Sequence, residues 1–314
     1  IVYFGGGVPA SNAGDELREL IHKVDMPATH TLMAAGILGY NDPRNLGMLG
    51  MHGSIAANRA IDRADLVVAI GARFSDRVAL NPNRFAKKAL KIQIDIDTSE
   101  LNKNVLLDVG ITADVKEFLT ALLPLIKEKN HAEWVSQSTE WKKKTGDVKS
   151  QDAQLHPSEI IGAVCTLTDK ETIYVTDVGQ HQMWAAQYLH HEKTRHFLTS
   201  GGLGTMGFGY GASIGAQVGN PDKRVIHFTG DGSFHMNLNE ACTAVSNKLP
   251  IITIIMNNKV LGMVYQWQTA FYAGRYAATT PERETDFPKL AEAFGAKGYS
   301  ASTPQEFEDV FKKT

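Results

Sequence analysis

The sequence predicts an α/β protein with two domains, each a three-layer arrangement of helices around a parallel sheet. Apolar runs rich in β-branched residues alternate along the 314 residues with segments of helical periodicity. These runs end in polar or glycine-rich turns, which is typical of parallel strands that lead into crossover helices. A polar, charged stretch at 129–155 separates two such series. We therefore expect domains at 1–128 and 156–314, joined by a solvated helix and linker.

Local patterns support each predicted element. Apolar residues at 17, 20, 21 and 24 share one helical face. Pro157 suits the first position of a helix, and the apolar run at 251–256 suits a strand covered on both faces. The predicted strands are Ile1–Phe4, Leu66–Ile70, Lys91–Ile96, Thr172–Thr176, His196–Leu198, Arg224–Thr229 and Ile251–Met256, and the predicted helices include Val115–Leu123, Pro157–Leu167 and Leu238–Asn247.

Composition and charge exclude several classes of protein. The formal charge of −2 gives no reason to expect a nucleic-acid partner, and no apolar run approaches the roughly 20 residues of a membrane span. Cys165 and Cys242 lie in apolar helical patterns, which predicts core residues in a reducing cytosol. We therefore expect a cytoplasmic protein with no nucleic-acid or membrane partner.

Both ends of the chain suggest a piece of a longer polypeptide. The first residues form a predicted strand with no initiator Met, and Thr303 with Glu306 makes a capping-box pattern for a helix in which the chain stops. We therefore expect the second domain to be truncated at its C-terminal end.

The segment from Gly230 to Asn258 carries the strongest chemical signal. Gly230, Asp231, Gly232 and Ser233 follow a predicted strand, and the pair Asn257–Asn258 follows the next one. A strand, a crossover helix and a parallel strand place Asp231 and Asn258 at the same sheet edge, where ligands of open α/β folds bind. Their oxygen atoms suit Mg²⁺, a main-chain carbonyl just beyond Asn258 could add a third ligand, and the glycines let backbone approach a phosphate.

An ordinary strand–turn–helix, with Asp231 as the N-cap, is the alternative explanation of residues 230–233 (GDGS). On those four residues alone this structural explanation is favoured. The asparagine pair in the second half of the pattern shifts the balance toward a metal-bound diphosphate.

Two glycine motifs could be mistaken for dinucleotide fingerprints. Residues 5–10 (GGGVPA) fit G-x-G-x-x-A, and residues 202–207 (GLGTMG) fit G-x-G-x-x-G. The second motif would suggest a dehydrogenase with Asp231 on the ribose. Asp231 lies between two glycines in a turn, however, which suits a phosphate loop better, and no residue suited to hydride chemistry is evident.

The pattern from GDGS to the asparagine pair resembles the thiamine diphosphate motif. Nearly the whole chain is similar to the catalytic subunit of the acetolactate synthase (acetohydroxyacid synthase) family, without its N-terminal pyrimidine-binding domain. The resemblance implies Mg²⁺ ligation by Asp231, Asn258 and the carbonyl of Val260, and substrate contacts from Met263, Val264 and Trp267. The implied thiamine diphosphate residues are Val178, Gly179, Gln180, His181, Gly204, Met206, Gly230, Asp231, Gly232, Ser233 and Asn258.

The resemblance also implies a structural FAD in a Rossmann-like central domain, which favours the biosynthetic branch of the family. Glycines and arginines at strand ends could hold a dinucleotide diphosphate, although such residues are equally common in plain turns. The residues concerned are Gly5, Gly6, Gly7, Met51, His52, Gly53, Gly71, Arg73, Asp76, Arg77, Asp95, Ile96 and Asp114.

The implied reaction decarboxylates pyruvate and condenses it with a second 2-oxo acid, pyruvate or 2-oxobutyrate, in branched-chain amino acid synthesis. The family further implies a dimer or tetramer with a small regulatory subunit. Its activating Glu belongs to the pyrimidine-binding domain, so we expect no catalytic residue of that kind in these residues and little activity from them alone. Another thiamine diphosphate-dependent decarboxylase or carboligase, or a nucleotide-binding module without catalysis, remains the alternative.

Overall fold

The computed structural model describes residues 1–144 and 155–314, which form two α/β units. The first unit contains the described residues up to 144 together with His190–Arg195, and the second contains the rest. Each unit has one sheet of parallel strands. The predicted α/β class is thus confirmed.

The first unit has a six-stranded sheet in the order β3-β2-β1-β4-β5-β6. Its strands are β1 (Val2–Phe4), β2 (Ala28–His30), β3 (Asn45–Met48), β4 (Leu66–Ile70), β5 (Leu90–Asp95) and β6 (Val109–Thr112). Its helices are α1 (Gly7–Ala10), α2 (Gly14–Val24), α3 (Ile55–Arg63), α4 (Val115–Leu122) and α5 (Ala132–Lys144).

Two apolar clusters make this unit a three-layer structure. One contains Leu17 of α2 and Leu119 of α4, and the other contains Ile61 of α3. Trp134 and Trp141 of α5 meet edge to face at 5.6 Å and pack against the second cluster. Helix α5 therefore belongs to the first unit, although it lies within the stretch predicted as a linker; residues 145–154 of that stretch are outside the described residues.

A segment from later in the chain completes the first unit. The ring of His190 stacks on Tyr40 with 4.0 Å between centroids, and the Tyr40 amide donates to the carbonyl of His191 at 3.1 Å. Gly36 has a φ of +84°, and a Cβ there would stand 2.2 Å from the Lys193 carbonyl oxygen. Only glycine therefore allows this segment to lie so close.

The second unit has a four-stranded sheet in the order β10-β9-β7-β8. Its strands are β7 (Ile173–Thr176), β8 (Phe197–Thr199), β9 (Val225–Gly230) and β10 (Ile252–Met256). Its helices are α6 (Pro157–Leu167), α7 (Gln180–Tyr188), α8 (Phe208–Gly219), α9 (Asp231–Asn237), α10 (Glu240–Ser246), α11 (Gly262–Phe271), α12 (Phe287–Ala293) and α13 (Pro304–Phe311).

Several local predictions differ from the structure. Cys242 is exposed, because the inward face of α10 is formed by Ala241 and Ala244. Cys165 of α6 is half-buried and packs against an apolar cluster of the second unit. The last helix ends at Phe311 and is followed by its C-cap, Lys312. Thr314 therefore lies beyond the helix in which the chain was predicted to stop. None of the helices in the described ranges combines the length and apolar character that a membrane span requires.

Truncation of a core leucine should destabilise the first unit. Leu17 is 0% exposed and Leu106 is 80% exposed. We expect Leu17→Ala to lower the free energy of unfolding by about 2–5 kcal/mol, because it leaves a cavity between α2 and the sheet. The matched control Leu106→Ala should change it by less than about 0.5 kcal/mol. Urea unfolding followed by circular dichroism measures both, and equal losses would contradict the assigned core.

Candidate functional site

Three chain segments meet at the carboxyl edge of the second sheet. Gly230, the last residue of β9, pairs with Met256, the last residue of β10, and β7 lies on the other side of β9. Asp231, the asparagine pair 257–258 and the residues after Thr176 therefore follow neighbouring strand ends. This is the arrangement that the sequence predicted for Asp231 and Asn258.

Asp231 presents an unused acceptor at this edge. It is 9% exposed, and its buried Oδ1 has no hydrogen-bond partner among the described residues. Asn258 is exposed, and its Oδ1 accepts a hydrogen bond from the Val260 amide at 3.2 Å. A buried carboxylate oxygen without a donor is costly unless a cation or a ligand satisfies it. The carboxylate of Asp231 and the amide oxygen of Asn258 are both hard oxygen donors of the type that Mg²⁺ prefers.

The turn after β9 is closely packed. A Cβ at Gly232 would stand 2.5 Å from Cδ2 of Leu261 and 3.8 Å from Cε of Met206. Ser233 Oγ donates to the carbonyl of Val178 at 2.7 Å, so this hydroxyl joins the turn to the segment after β7 rather than pointing freely outward. Gly204 also lies near Val178, whose Cγ1 would be 3.9 Å from a Cβ at that glycine.

His181 is a buried, neutral imidazole beside the turn. Burial lowers the pKa of His181 to about 4, although the charge of Asp177 opposes that shift. Its Nε2 is buried without a hydrogen-bond partner in the described ranges, and its Nδ1 would be 2.9 Å from a Cβ at Gly230. A neutral imidazole with one unused ring nitrogen can exchange a hydrogen bond with a ligand oxygen.

Helix α11 borders the same edge. A Cβ at Gly262 would stand 2.1 Å from Oε1 of Gln180 and 3.2 Å from Nδ2 of Asn258, so Gln180, the residue after Gly179, is beside the asparagine. Val264 is 47% exposed, and none of the residues of α11 is buried. The ring of Trp267 lies 5.2 Å from that of Phe271. Met263, Val264 and Trp267, at helical spacing, therefore form an accessible apolar surface in this unit.

The structure adds residues that the sequence analysis did not select. His235 Nε2 lies 2.8 Å from Thr285 Oγ1, and both residues line a cavity of about 340 Å³ together with Asp231. Asp177 and His227 are buried behind the sheet edge. Asp177 could have been found, because it follows β7 as Asp231 follows β9, whereas nothing in the sequence marks His227 or His235.

A second candidate site lies at the carboxyl edge of the first sheet. The Gly7 amide donates to the Gly71 carbonyl at 2.9 Å, and a Cβ at Gly7 would stand only 2.7 Å from the Gly71 Cα. The glycine loops after β1 and β4, including Gly5 and Gly6, are therefore in contact. The amides of Gly5, Gly7 and Gly71 already donate to backbone carbonyls, so this edge offers a ligand backbone surface without side chains, which lets a phosphate approach closely.

The other residues predicted to bind a nucleotide at this edge differ in exposure and in the contacts they already make. The Met51 amide donates to the Arg77 carbonyl at 2.8 Å, which joins the 51–53 turn, including His52 and Gly53, to the loop after β4. Arg73, Asp76, Arg77 and Ile96 are exposed, and Asp76 pairs with Arg77 at 2.8 Å.

Two predicted acidic residues are already engaged with backbone. Asp95 accepts from the Asp97 amide at 3.0 Å, and Asp114 caps α4 by accepting from the Lys116 amide at 2.8 Å. Buried His30, at the end of β2, was missed because its short strand was missed.

Comparison with known proteins agrees with this geometry. Residues 177–314 match the model for the thiamine pyrophosphate enzyme C-terminal TPP binding domain, and residues 1–122 match the central domain of the same enzymes. Thiamine pyrophosphate is another name for thiamine diphosphate. The chain therefore belongs to the thiamine pyrophosphate enzymes.

Several curated relatives of the chain are named acetolactate synthase large subunit. The chain is 40% identical over 316 residues to that of Buchnera aphidicola subsp. Schlechtendalia chinensis, covering 98% of this chain and 55% of the relative. It is 42% identical to that of Porphyra purpurea, over 99% of this chain and 54% of the relative. It is 40% identical to that of Lactococcus lactis subsp. lactis, over 99% of this chain and 55% of the relative. The chain thus spans about half the length of these relatives.

The buried histidines predict a pH dependence of stability. Burial lowers the pKa of His181 and of His30 to about 4, from a usual value of 6.5. The unfolded chain therefore binds more protons below pH 6.5, and the stability present above that pH is lost as the pH falls toward 4. We expect His30→Gln and His181→Gln each to flatten this loss, by up to about 3 kcal/mol. Urea unfolding at pH 7.5, 6 and 5 measures the free energy of unfolding of each variant. If it falls with pH as steeply in both variants as in the wild-type chain, the prediction is refuted.

Proposed function

We propose that this protein is a thiamine diphosphate-dependent carboligase that condenses pyruvate with a second 2-oxo acid and releases CO2. The product would be acetolactate from two pyruvates, or acetohydroxybutyrate with 2-oxobutyrate as the second substrate. The observation that carries the proposal is that the buried Oδ1 of Asp231 has no hydrogen-bond partner in the described part of the chain. Asp231 follows a strand end that is paired with the strand leading to Asn258, within a domain that matches a thiamine pyrophosphate-binding model.

In the proposed site, Asp231 and Asn258 would hold Mg²⁺ through side-chain oxygens, with the Val260 carbonyl as a third ligand. This set supplies hard oxygen ligands and leaves positions for phosphate oxygens and water. His181 would face a phosphate oxygen with its Nε2, and would donate to that oxygen when this nitrogen carries the proton. Backbone at 178–179, Gln180 and the glycines at 204, 230 and 232 would border the diphosphate, while Met206, whose methyl lies near Gly232, would support the cofactor rings.

Bound thiamine diphosphate would supply the nucleophilic carbon for decarboxylation and carbon–carbon bond formation. The residues of this chain would orient the reactants and keep water away. Met263, Val264 and Trp267 present apolar surface on the helix that begins beside Gln180 and Asn258. We propose that this surface contacts the 2-oxo acids and favours the longer side chain of 2-oxobutyrate by apolar contact.

Removal of the Asp231 carboxylate should abolish Mg²⁺-dependent binding of thiamine diphosphate. Because Asp231 supplies the only charged side-chain oxygen of the proposed ligand set, we expect Asp231→Ala to weaken binding about 100-fold or more, the loss of one charged ligand. Asp222→Ala, an exposed change in the same unit, is the matched control. Isothermal titration with and without Mg²⁺ measures both variants. Equal affinity of Asp231→Ala and the wild-type chain would refute the assignment.

The reaction is tested by product analysis of the complete enzyme with pyruvate. Acetolactate would support the carboligase proposal. Release of acetaldehyde without acetolactate would identify a decarboxylase instead.

We further propose that the first unit binds FAD in a structural role, since carboligation involves no net redox change. The support is the contact between the glycine loops after β1 and β4, together with the exposed Arg73 and Arg77 near that edge. Asp95, Asp114 and the turn at 51–53 would border the nucleotide. We also propose a cytoplasmic homo-oligomer, a dimer or tetramer, with a small regulatory subunit, because the relatives are named large subunits.

A Cβ between the two glycine loops should block flavin uptake. At Gly7 it would stand 2.7 Å from the Gly71 Cα, which is backbone and cannot easily yield, whereas at Gly14 its nearest contact would be Arg18 Nη1 at 3.5 Å. We expect Gly7→Ala to lose FAD binding by about tenfold or more, and Gly14→Ala to retain it. Flavin absorbance after reconstitution and gel filtration measures both. A colourless wild-type protein that takes up no FAD would contradict the proposal.

A further inference from the structure

Asp177 is a buried carboxylate that joins three parts of the second unit. It follows β7 directly and is 1% exposed. Its Oδ1 accepts from the Gly207 amide at 2.6 Å, and its Oδ2 accepts from Thr229 Oγ1 at 3.2 Å. The Nε2 of His227 lies 3.6 Å from the same Oδ2. The carboxylate therefore connects the end of β7, the strand β9 and the turn that precedes α8.

The surroundings keep this carboxyl group ionised. Burial alone would raise its pKa, but the interaction with His227 and the Gly207 amide outweigh burial and hold the pKa below its usual value. A buried charge is retained at a substantial desolvation cost. Here the charge is matched by donors that come from separate elements, so its removal would release those elements from one another.

The first turn of α8 packs closely against His227 and Asp177. A Cβ at Gly209 would stand 2.3 Å from His227 Nε2 and 2.9 Å from the Asp177 amide nitrogen. The first turn of α8 thus approaches the pair at a residue without a side chain. Gly207 itself has a φ of +89°, a conformation that glycine adopts readily and other residues rarely do.

The turn that Asp177 holds carries Met206. Met206 directly precedes Gly207, and its Cε lies near Gly232 of the segment after β9. On the other side, Val178 directly follows Asp177 and accepts the hydrogen bond of Ser233. The hydrogen bond from the Gly207 amide to Asp177 is therefore one of the contacts that hold Met206 relative to Gly232, beside the bond that Asn237 Nδ2 donates to the Gly207 carbonyl.

We propose that Asp177 is a positioning residue that fixes the 202–207 turn, and with it Met206, against the thiamine diphosphate site. This inference rests on the proposed function, since Met206 is taken to support the cofactor rings rather than the diphosphate. Asp177 acts through the Gly207 amide and does not itself touch the ligand.

The test compares Asp177→Ala, Asp177→Asn and the exposed control Asp222→Ala in the whole chain. Hydrogen–deuterium exchange of the peptide covering 202–207, without ligand, should be about tenfold faster in Asp177→Ala, because the Gly207 amide loses its acceptor. Asp177→Asn keeps an acceptor oxygen and should restore slow exchange to within about threefold of wild type. The control should match wild type.

Ligand affinities then distinguish a positioning role of Asp177 from a general loss of structure in the second unit. In the presence of Mg²⁺, Asp177→Ala should bind thiamine diphosphate about tenfold more weakly, which is roughly the cost of one lost hydrogen bond. It should bind inorganic diphosphate less than about threefold more weakly, because inorganic diphosphate lacks the rings that Met206 would support. Asp177→Asn should recover most of the lost affinity. If Asp177→Ala does not fold, Thr229→Val, which removes one donor to Asp177 without changing shape, should give the same pattern at about threefold.

Each outcome decides between the alternatives. Unchanged exchange in the 202–207 peptide, or equal losses for both ligands, would overturn the positioning role while wild-type binding still supports the cofactor site. A wild-type chain that binds neither ligand would overturn the proposed function and the cofactor role of Asp177 together, whereas the exchange data would still show whether Asp177 holds the turn.

Discussion

The parallel pairing of β9 with β7 and β10 is the constraint on which the second unit depends. Because the strands run in one direction and Gly230 pairs with Met256, every residue that follows a strand emerges at the same edge. The glycines there allow side chains such as Leu261 and His181 to approach the backbone closely. The site is thus a consequence of register, and a shift in register would separate Asp231 from Asn258.

Two acidic residues at this edge have opposite electrostatic situations. Asp177 is surrounded by donors from its own fold, so its charge is used for structure. Asp231 keeps a buried oxygen without a donor in the described part of the chain, so its charge is available to a cation. Burial costs both groups, but the fold compensates only the first. This difference is the reason why we propose that Asp177 organises the site and that Asp231 binds a cation.

The sequence predicted the fold where the signal was long and regular. Strands β4 and β10 are runs of five mostly apolar residues, and β9 has six residues of which half are apolar. Strands β2, β3 and β6 have only three or four residues with polar members or glycine, and they were missed.

Whether a strand could be predicted also decided which residues of the candidate sites could be placed from the sequence. Asp231 and Asn258 follow predicted strands and could be placed, but His30 ends a missed strand. Nothing in a linear pattern reveals that His227, within β9, lies near Asp177, because that contact depends on the pairing of β7 with β9.

The segment His190–Arg195 has a consequence for how the two units can be made. It lies between α7 and β8 in the chain, yet its residues pack on Tyr40 and Gly36 of the first unit. The units are therefore not two consecutive stretches of polypeptide. A shortened chain that ended at the 129–155 stretch would leave the surface around Tyr40 uncovered, so the first unit requires translation to continue well into the second before its own packing is complete.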